Sequence, residues 1–284
     1  MSFFFNYNGN LHPEGTAIIS SGNRGFKYGD GLFETMLVSN GKILLKEFHF
    51  ERLFNGMNIL HFDTTLLNVD ALENEIHFLC NKNSLTGSMR IRLMIFRGHG
   101  ELSSSSLSFP NYVIEAVALT REDDSSSCLV NLGIYHAIRK SCDLLCNLKI
   151  NNFLGYTMGA FYAKKHGLDD VLMLNEYGRI CDSTKANVFI VKDRCLFTPP
   201  LSEGCVAGVM RRWLLEIIPQ TGYSVKEVPI TIEDLENADG IMLTNAIKRI
   251  NWVNNCDKKE YWQTLISDFK QQIMKLTDLN GSRL

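Results

Sequence analysis

Four segments of this sequence carry residue types that could act on a small molecule. Lys149 lies in Asn147-Leu148-Lys149-Ile150-Asn151-Asn152-Phe153-Leu154, among apolar neighbours. A lysine amine becomes a nucleophile when burial or nearby positive charge leaves it neutral. In apolar company it otherwise lays its stem on the surface and keeps the ammonium in water. Arg52, in His49-Phe50-Glu51-Arg52-Leu53, is either a binder of phosphate or carboxylate or a solvated arginine on a helix face. Gly208-Val209-Met210-Arg211 opens a helix, and the free N–H groups and positive dipole end of a helix start suit an anion. Asp182, in Cys181-Asp182-Ser183-Thr184-Lys185-Ala186-Asn187, offers a fixed negative charge or simply starts a turn.

The surrounding pattern alternates strands and helices. Phe33 to Leu45 reads as two apolar runs around Ser39-Asn40-Gly41-Lys42, a hairpin signal because Asn and Gly both accept positive φ. Phe50, Leu53, Phe54, Met57 and Leu60 then recur at helical spacing, a second helix covers 68–82, and strands follow at 89–96 and 112–119. The polar run Thr120 to Ser127 reads as a linker. Beyond it, 129–137 is strand-like, 152–166 an amphipathic helix closed by Gly167, and 170–174, 188–191 and 196–197 short strands. A helix from Gly208 through Leu215, strand 224–229, helix 232–237, strand 241–244 and a long helix from about Lys258 complete the chain. The expected fold is mixed α/β (α+β) in two domains: a smaller one at 1–119, the linker at 120–127, and a larger one at 128–284 carrying Lys149.

With 284 residues, 45% of them hydrophobic, the chain can bury two cores, and a net charge of -2 gives no sign of a nucleic-acid or membrane-surface partner. The opening MSFFFNYNGN lacks a basic n-region and no apolar run approaches a spanning helix, so a cytoplasmic protein is expected. The eight cysteines are scattered; only Cys142 and Cys146 are close, with no second pair or histidine at zinc spacing. Reduced core thiols and no metal are expected.

Taken together, Tyr28-Gly29-Asp30-Gly31-Leu32-Phe33-Glu34-Thr35, the Arg52 and Lys149 segments, Gly178 to Phe189, Thr198-Pro199-Pro200, the Gly208 segment and Thr244-Asn245-Ala246 resemble, in order and spacing, the class IV aminotransferases. That family includes branched-chain and D-amino-acid aminotransferases and aminodeoxychorismate lyase. The resemblance implies a two-domain fold-type IV enzyme that uses pyridoxal 5'-phosphate. It makes Lys149 the Schiff-base lysine, Arg52 the phosphate arginine, and Gly208, Val209, Met210, Asn245 and Ala246 further phosphate contacts. Phe33 then lines the substrate pocket, and Arg97 is a contact for the substrate carboxylate. The family's partner of the pyridine nitrogen is a glutamate five residues before an asparagine; here Asp182 stands there, one methylene shorter.

Leu154 occupies the position five beyond the lysine where branched-chain enzymes have a tyrosine. The Lys149-to-Asn152 order instead resembles D-amino-acid aminotransferase and aminodeoxychorismate lyase. Trp252 stands where a proline is usual, and Arg97 is not followed by a second arginine found in some lyases. The resemblance thus implies transamination between a small amino acid and a 2-oxo acid, or β-elimination giving 4-aminobenzoate and pyruvate, in a homodimer. A noncatalytic phosphate- or amine-binding protein on this fold would have no use for Lys149.

Overall fold

The computed structural model describes residues 3–102, 109–120, 129–193 and 195–261, together with 267, 269 and 271. Two compact units form: Met1–Asp124 with Leu148–Asn152, and Ser125–Asn147 with Phe153–Leu284. From residue 121 onward, the expected linker at 120–127 lies outside the described residues. One difference from expectation concerns the lysine. Its segment, 148–152, joins the first unit because its backbone bonds to a strand there, which local pattern cannot register.

In the first unit the chain runs β1 (Phe4–Tyr7), β2 (Asn10–Pro13), α1 (Arg24–Tyr28), β3 (Gly31–Ser39), β4 (Lys42–Ile43), α2 (Lys46–Ile59), α3 (Val69–Lys82), β5 (Met89–Phe96) and β6 (Asn111–Ala118). All strand pairs are antiparallel, in the order β2-β1-β6-β5-β3-β4. Asn40 and Gly41 form the β3–β4 turn with φ of 50° and 73°, as the Asn-Gly signal requires. Asn68 starts α3 by accepting the Ala71 N–H at 2.7 Å. Leu32, Met36 and Val38 on one face of β3 pack in a single core with Phe50, Leu53 and Met57 of α2, and Leu72, Ile76 and Leu79 of α3. Truncating one of these to alanine costs about 2–5 kcal/mol.

The second unit contains β7 (Leu129–Lys140), α4 (Leu154–Lys165), β8 (Asp170–Asn175), β9 (Ile180–Ser183), β10 (Asn187–Lys192), β11 (Cys195–Thr198), α5 (Val209–Ile217), β12 (Ser224–Glu227), α6 (Ile232–Asn237), β13 (Gly240–Asn245), β14 (Arg249–Cys256) and β15 (Lys259–Glu260). Its sheet is mixed, in the order β12-β11-β10-β13-β14-β7-β8-β9, with β15 on β14. Strands β8 and β10 read as continuous apolar runs because nearly every residue in them is buried. At Lys259–Glu260, just past the expected start of the last helix, the chain turns back as β15 against β14; 267, 269 and 271 are helical, and the rest of that expected helix lies outside the described residues. Among the described residues no helix is long and apolar enough to cross a membrane, and the described cysteines are free thiols.

Candidate active site

The lysine segment is held on β3 by backbone hydrogen bonds. Phe33 N–H donates to the Lys149 carbonyl at 2.8 Å, and Asn151 N–H donates to the Gly31 carbonyl at 2.9 Å. The Asn151 side chain adds a bond to the Ile95 carbonyl at 3.1 Å. Gly31 leaves no alternative: a Cβ there would lie 2.1 Å from the Ile95 oxygen and 2.5 Å from Asn151 Nδ2. Gly29 ends α1 at φ 65°, again against Asn152. The Gly-Asp-Gly spacing is thus the space into which the lysine segment fits. Lys149 Nζ sits 4.3 Å from the centroid of the Phe33 ring, and Arg92 Cζ is 4.3 Å from the same ring. Phe33 projects from the opposite face of β3 to Leu32 and Glu34.

On that inner face lies a buried ionic cluster. Glu34 Oε1 accepts Arg52 Nε at 2.7 Å, and Oε2 accepts Arg52 Nη2 and His49 Nδ1, each at 2.7 Å. Glu34 and His49 are each 1% exposed. Burial pushes the Glu34 carboxyl upward, but Arg52 and His49 outweigh it and bring the pKa down to about 2. His49 is lowered chiefly by burial, against the pull of Glu34, so the neutral ring donates its Nδ1 proton. Glu34 and His49 do not stand out in the sequence as individual site residues. Their signal was a charged residue on the inward parity of a strand, with His and Arg three apart on the next helix.

In the second unit Asp182 is 2% exposed. Its Oδ2 accepts Lys140 Nζ at 2.6 Å, Tyr156 OH at 2.8 Å and the Val206 N–H at 3.1 Å. Leu154 faces outward at 66% exposure, so the phenol near this carboxylate is Tyr156, two residues on. Helix α5 begins at Gly208 without a side-chain cap, leaving its first-turn amides, including Val209 and Met210, for another acceptor. A Cβ on Gly208 would fall 1.8 Å from Asn187 Oδ1, whose amide nitrogen bonds the Val206 carbonyl at 2.8 Å.

Asn187 pairs across the sheet with Thr244. Thr244 Oγ1 is buried and has no hydrogen-bond partner among the described residues. An uncapped helix start and an orphaned hydroxyl on the strand beside its Asn187 neighbour fit a phosphate-bearing cofactor. Asn245 is turned to local work: its Oδ1 accepts the N–H groups of Ile247 and Lys248 at 3.0 and 2.8 Å, shaping the turn that contains Ala246. Arg97 is equally engaged. It donates to Asp30 at 2.6 Å, to the Leu60 carbonyl and to His61 O at 3.1 Å, and stacks 4.2 Å from the Phe62 ring centroid.

Comparison with known proteins places the chain in a family. The model of the amino-transferase class IV family matches residues 31–256. A putative branched-chain-amino-acid aminotransferase of Methanocaldococcus jannaschii is 28% identical over 86% of this chain and 84% of its own. Aminodeoxychorismate lyase of Bacillus subtilis is 27% identical over 86% and 83%. The crystal structure of a branched-chain aminotransferase from Thermoproteus uzoniensis superposes with a TM-score of 0.84 at 22% identity, covering 92% of this chain and 90% of that one. A family match that runs from Gly31 past the turn at Asn245, most of the chain, makes this protein a member of the class IV aminotransferases, which are pyridoxal-phosphate enzymes.

Proposed function

We propose that the protein is an aminotransferase that moves an amino group between a small amino acid and a 2-oxo acid, with Lys149 as its reactive amine. The observation that carries this reading is the seating of Lys149: a five-residue segment bonded to β3, over Gly31, which admits no side chain, with Nζ against Phe33. When bound, pyridoxal phosphate supplies an electron sink for the pair released as a bond at the substrate's α-carbon breaks. The chain's own residues do the rest. Lys149 Nζ takes the α-proton and returns it. Arg52 holds the phosphate, oriented by Glu34. The amides of Val209 and Met210, the turn at Asn245 and Ala246, and Thr244 Oγ1 provide further phosphate donors. Asp182 serves the ring nitrogen.

Phe33 forms an apolar wall for the substrate. Arg92, next to the same ring, is better disposed toward a substrate carboxylate than Arg97, whose guanidinium is bound to Asp30 and to two carbonyls. The lyase reaction is the second reading: Leu154 in place of the branched-chain tyrosine suits it as well as it suits a D-amino-acid aminotransferase. We further infer a cytoplasmic homodimer, from the family likeness. The deciding experiment incubates the yellow holoprotein with single amino acids and 2-oxo acids, and separately with aminodeoxychorismate. Amino-group exchange that requires a 2-oxo acid supports the transaminase; pyruvate and 4-aminobenzoate released without one would replace it by the lyase. A protein that binds no pyridoxal phosphate would sink both.

A further inference from the structure

The two oxygens of Asp182 are treated unequally. Oδ2 takes all three strong donors, from Lys140 at the end of β7, Tyr156 in the first turns of α4 and the Val206 amide. Oδ1 is approached, among the described residues, only by the thiol of Cys181 at 3.5 Å, a weak donor. Lys140 also lies 4.6 Å from the Tyr156 ring centroid and bonds its hydroxyl, so three side chains from three elements lock together.

Protonation follows from the surroundings. Burial pulls Lys140 down, but the adjacent Asp182 carboxylate outweighs it and the amine is held above its ordinary value. Burial, then Asp182, pushes Tyr156 well above the usual phenol range. The other titratable groups facing Asp182, Cys181 and Cys205, are likewise pushed up by burial and stay neutral thiols. Lys140 is therefore the one cation paired with Asp182 among the described residues. Held as an ammonium, it does not compete with Lys149 as a nucleophile.

We propose that Lys140 is a positioning residue that sets how strongly Asp182 holds a proton on the ring nitrogen of the bound cofactor. This rests on the reading of Asp182 as the ring-nitrogen partner. Lys140 and Tyr156 fix Oδ2, leave Oδ1 for the nitrogen, and offset the carboxylate's charge. A carboxylate already matched by an ammonium attracts a second cation less than a lone one does. The aspartate at a glutamate position and the lysine beside it are thus parts of one device: the ring nitrogen is protonated less completely than an unpaired carboxylate would make it.

The alternative is a plain buried ion pair that only stabilises the unit. Both views expect Lys140→Met to lower the melting temperature, so stability does not separate them. The test loads the protein with pyridoxal phosphate carrying nitrogen-15 in the ring and reads the chemical shift, which distinguishes pyridine from pyridinium. Lys140→Met should move the signal toward pyridinium, with the protonated-to-neutral ratio rising about tenfold, one pKa unit. Lys140→Arg should resemble the parent. Lys140→Gln, which keeps a hydrogen bond without the charge, should move with Lys140→Met and replaces it if that variant does not fold. Asp182→Asn should move the signal the other way. If Asp182→Asn moves the signal while both neutral variants of Lys140 coincide with the parent, Lys140 is structural only and the proposal fails. If Asp182→Asn itself leaves the signal unmoved, the role of Asp182 is lost and that of Lys140 with it.

Discussion

Glu34 binds Arg52 through two parallel hydrogen bonds, Nε and Nη2 each at 2.7 Å, from a strand position whose neighbours on the same face are core residues. A bidentate pair fixes the plane of the guanidinium as well as its place. Removing one partner of such a buried pair costs about 3–5 kcal/mol, since the other charge stays buried.

The cluster makes stability depend on pH in a defined direction. His49 is held below its ordinary 6.5, so acidification below about that pH favours the unfolded chain, which protonates first. Glu34, lowered from 4.5 to about 2, adds stability that is complete above the unfolded value and lost as pH falls from about 4.5 toward 2. The Glu34 share is about 3 kcal/mol at neutral pH. Urea melts of the parent and Glu34→Gln at pH 7, 4.5 and 3 check this: the gap between them should narrow as pH falls below about 4.5. A gap that stays constant would show that the carboxylate is not ionised in this cluster.

Arg52→Ala should weaken binding of pyridoxal phosphate by about 2–4 kcal/mol, the range for an unpaired charge-assisted contact. Pyridoxal without the phosphate should bind the variant as it binds the parent. Equal losses for both compounds in an equilibrium titration would move Arg52 out of the phosphate site.

Lys149→Ala should abolish turnover while leaving the circular dichroism and melting of the protein near those of the parent. Borohydride reduction and peptide mapping of the parent should find the cofactor on Lys149. A label on Lys140 would overturn the assignment of both lysines.

Gly31→Ala and Gly208→Ala should differ. At Gly31 the added methyl meets the Ile95 carbonyl at 2.1 Å, an obstruction in the sheet itself, and at least about 3 kcal/mol of stability should be lost. At Gly208 it meets the Asn187 carboxamide, which can turn aside, so stability should fall less while cofactor affinity drops. Thermal melts with and without pyridoxal phosphate separate the two.

Asp182→Asn keeps size and hydrogen bonding but removes the charge. Cofactor binding should change little while turnover falls at least about a hundredfold, roughly 3 kcal/mol of barrier. Half-reaction kinetics with a panel of amino acids measures it; turnover at the parent rate would leave Asp182 as a structural residue paired with Lys140.

Much of the fold was legible because its signals are local. Asn40-Gly41 specified a turn, and Asn68 and Gly208 marked helix starts that the structure has at Val69 and Val209. The rest depends on partners distant in sequence. Arg97 read as a loop cation because Asp30 and the Leu60 carbonyl, which bind it, lie in other segments. Strand β9 has all four residues buried and so shows no alternation to read. Lys140 gave no signal at all: a lysine closing a strand is ordinary until the fold brings Asp182 and Tyr156 to it.

The seating of Lys149 also dictates an order of assembly. Gly31 and Asn151, joined by a hydrogen bond, are separated by about 120 residues of chain, a closure that short-range structure cannot anticipate. During synthesis the β3–α2 cluster of Glu34, His49 and Arg52 can form while the lysine is still being translated. Lys149 reaches its strand only after the chain has passed through β7. A nascent or truncated first half can therefore fold its sheet and yet lack Lys149, so the amine proposed to react arrives last, as a check that the chain has been made.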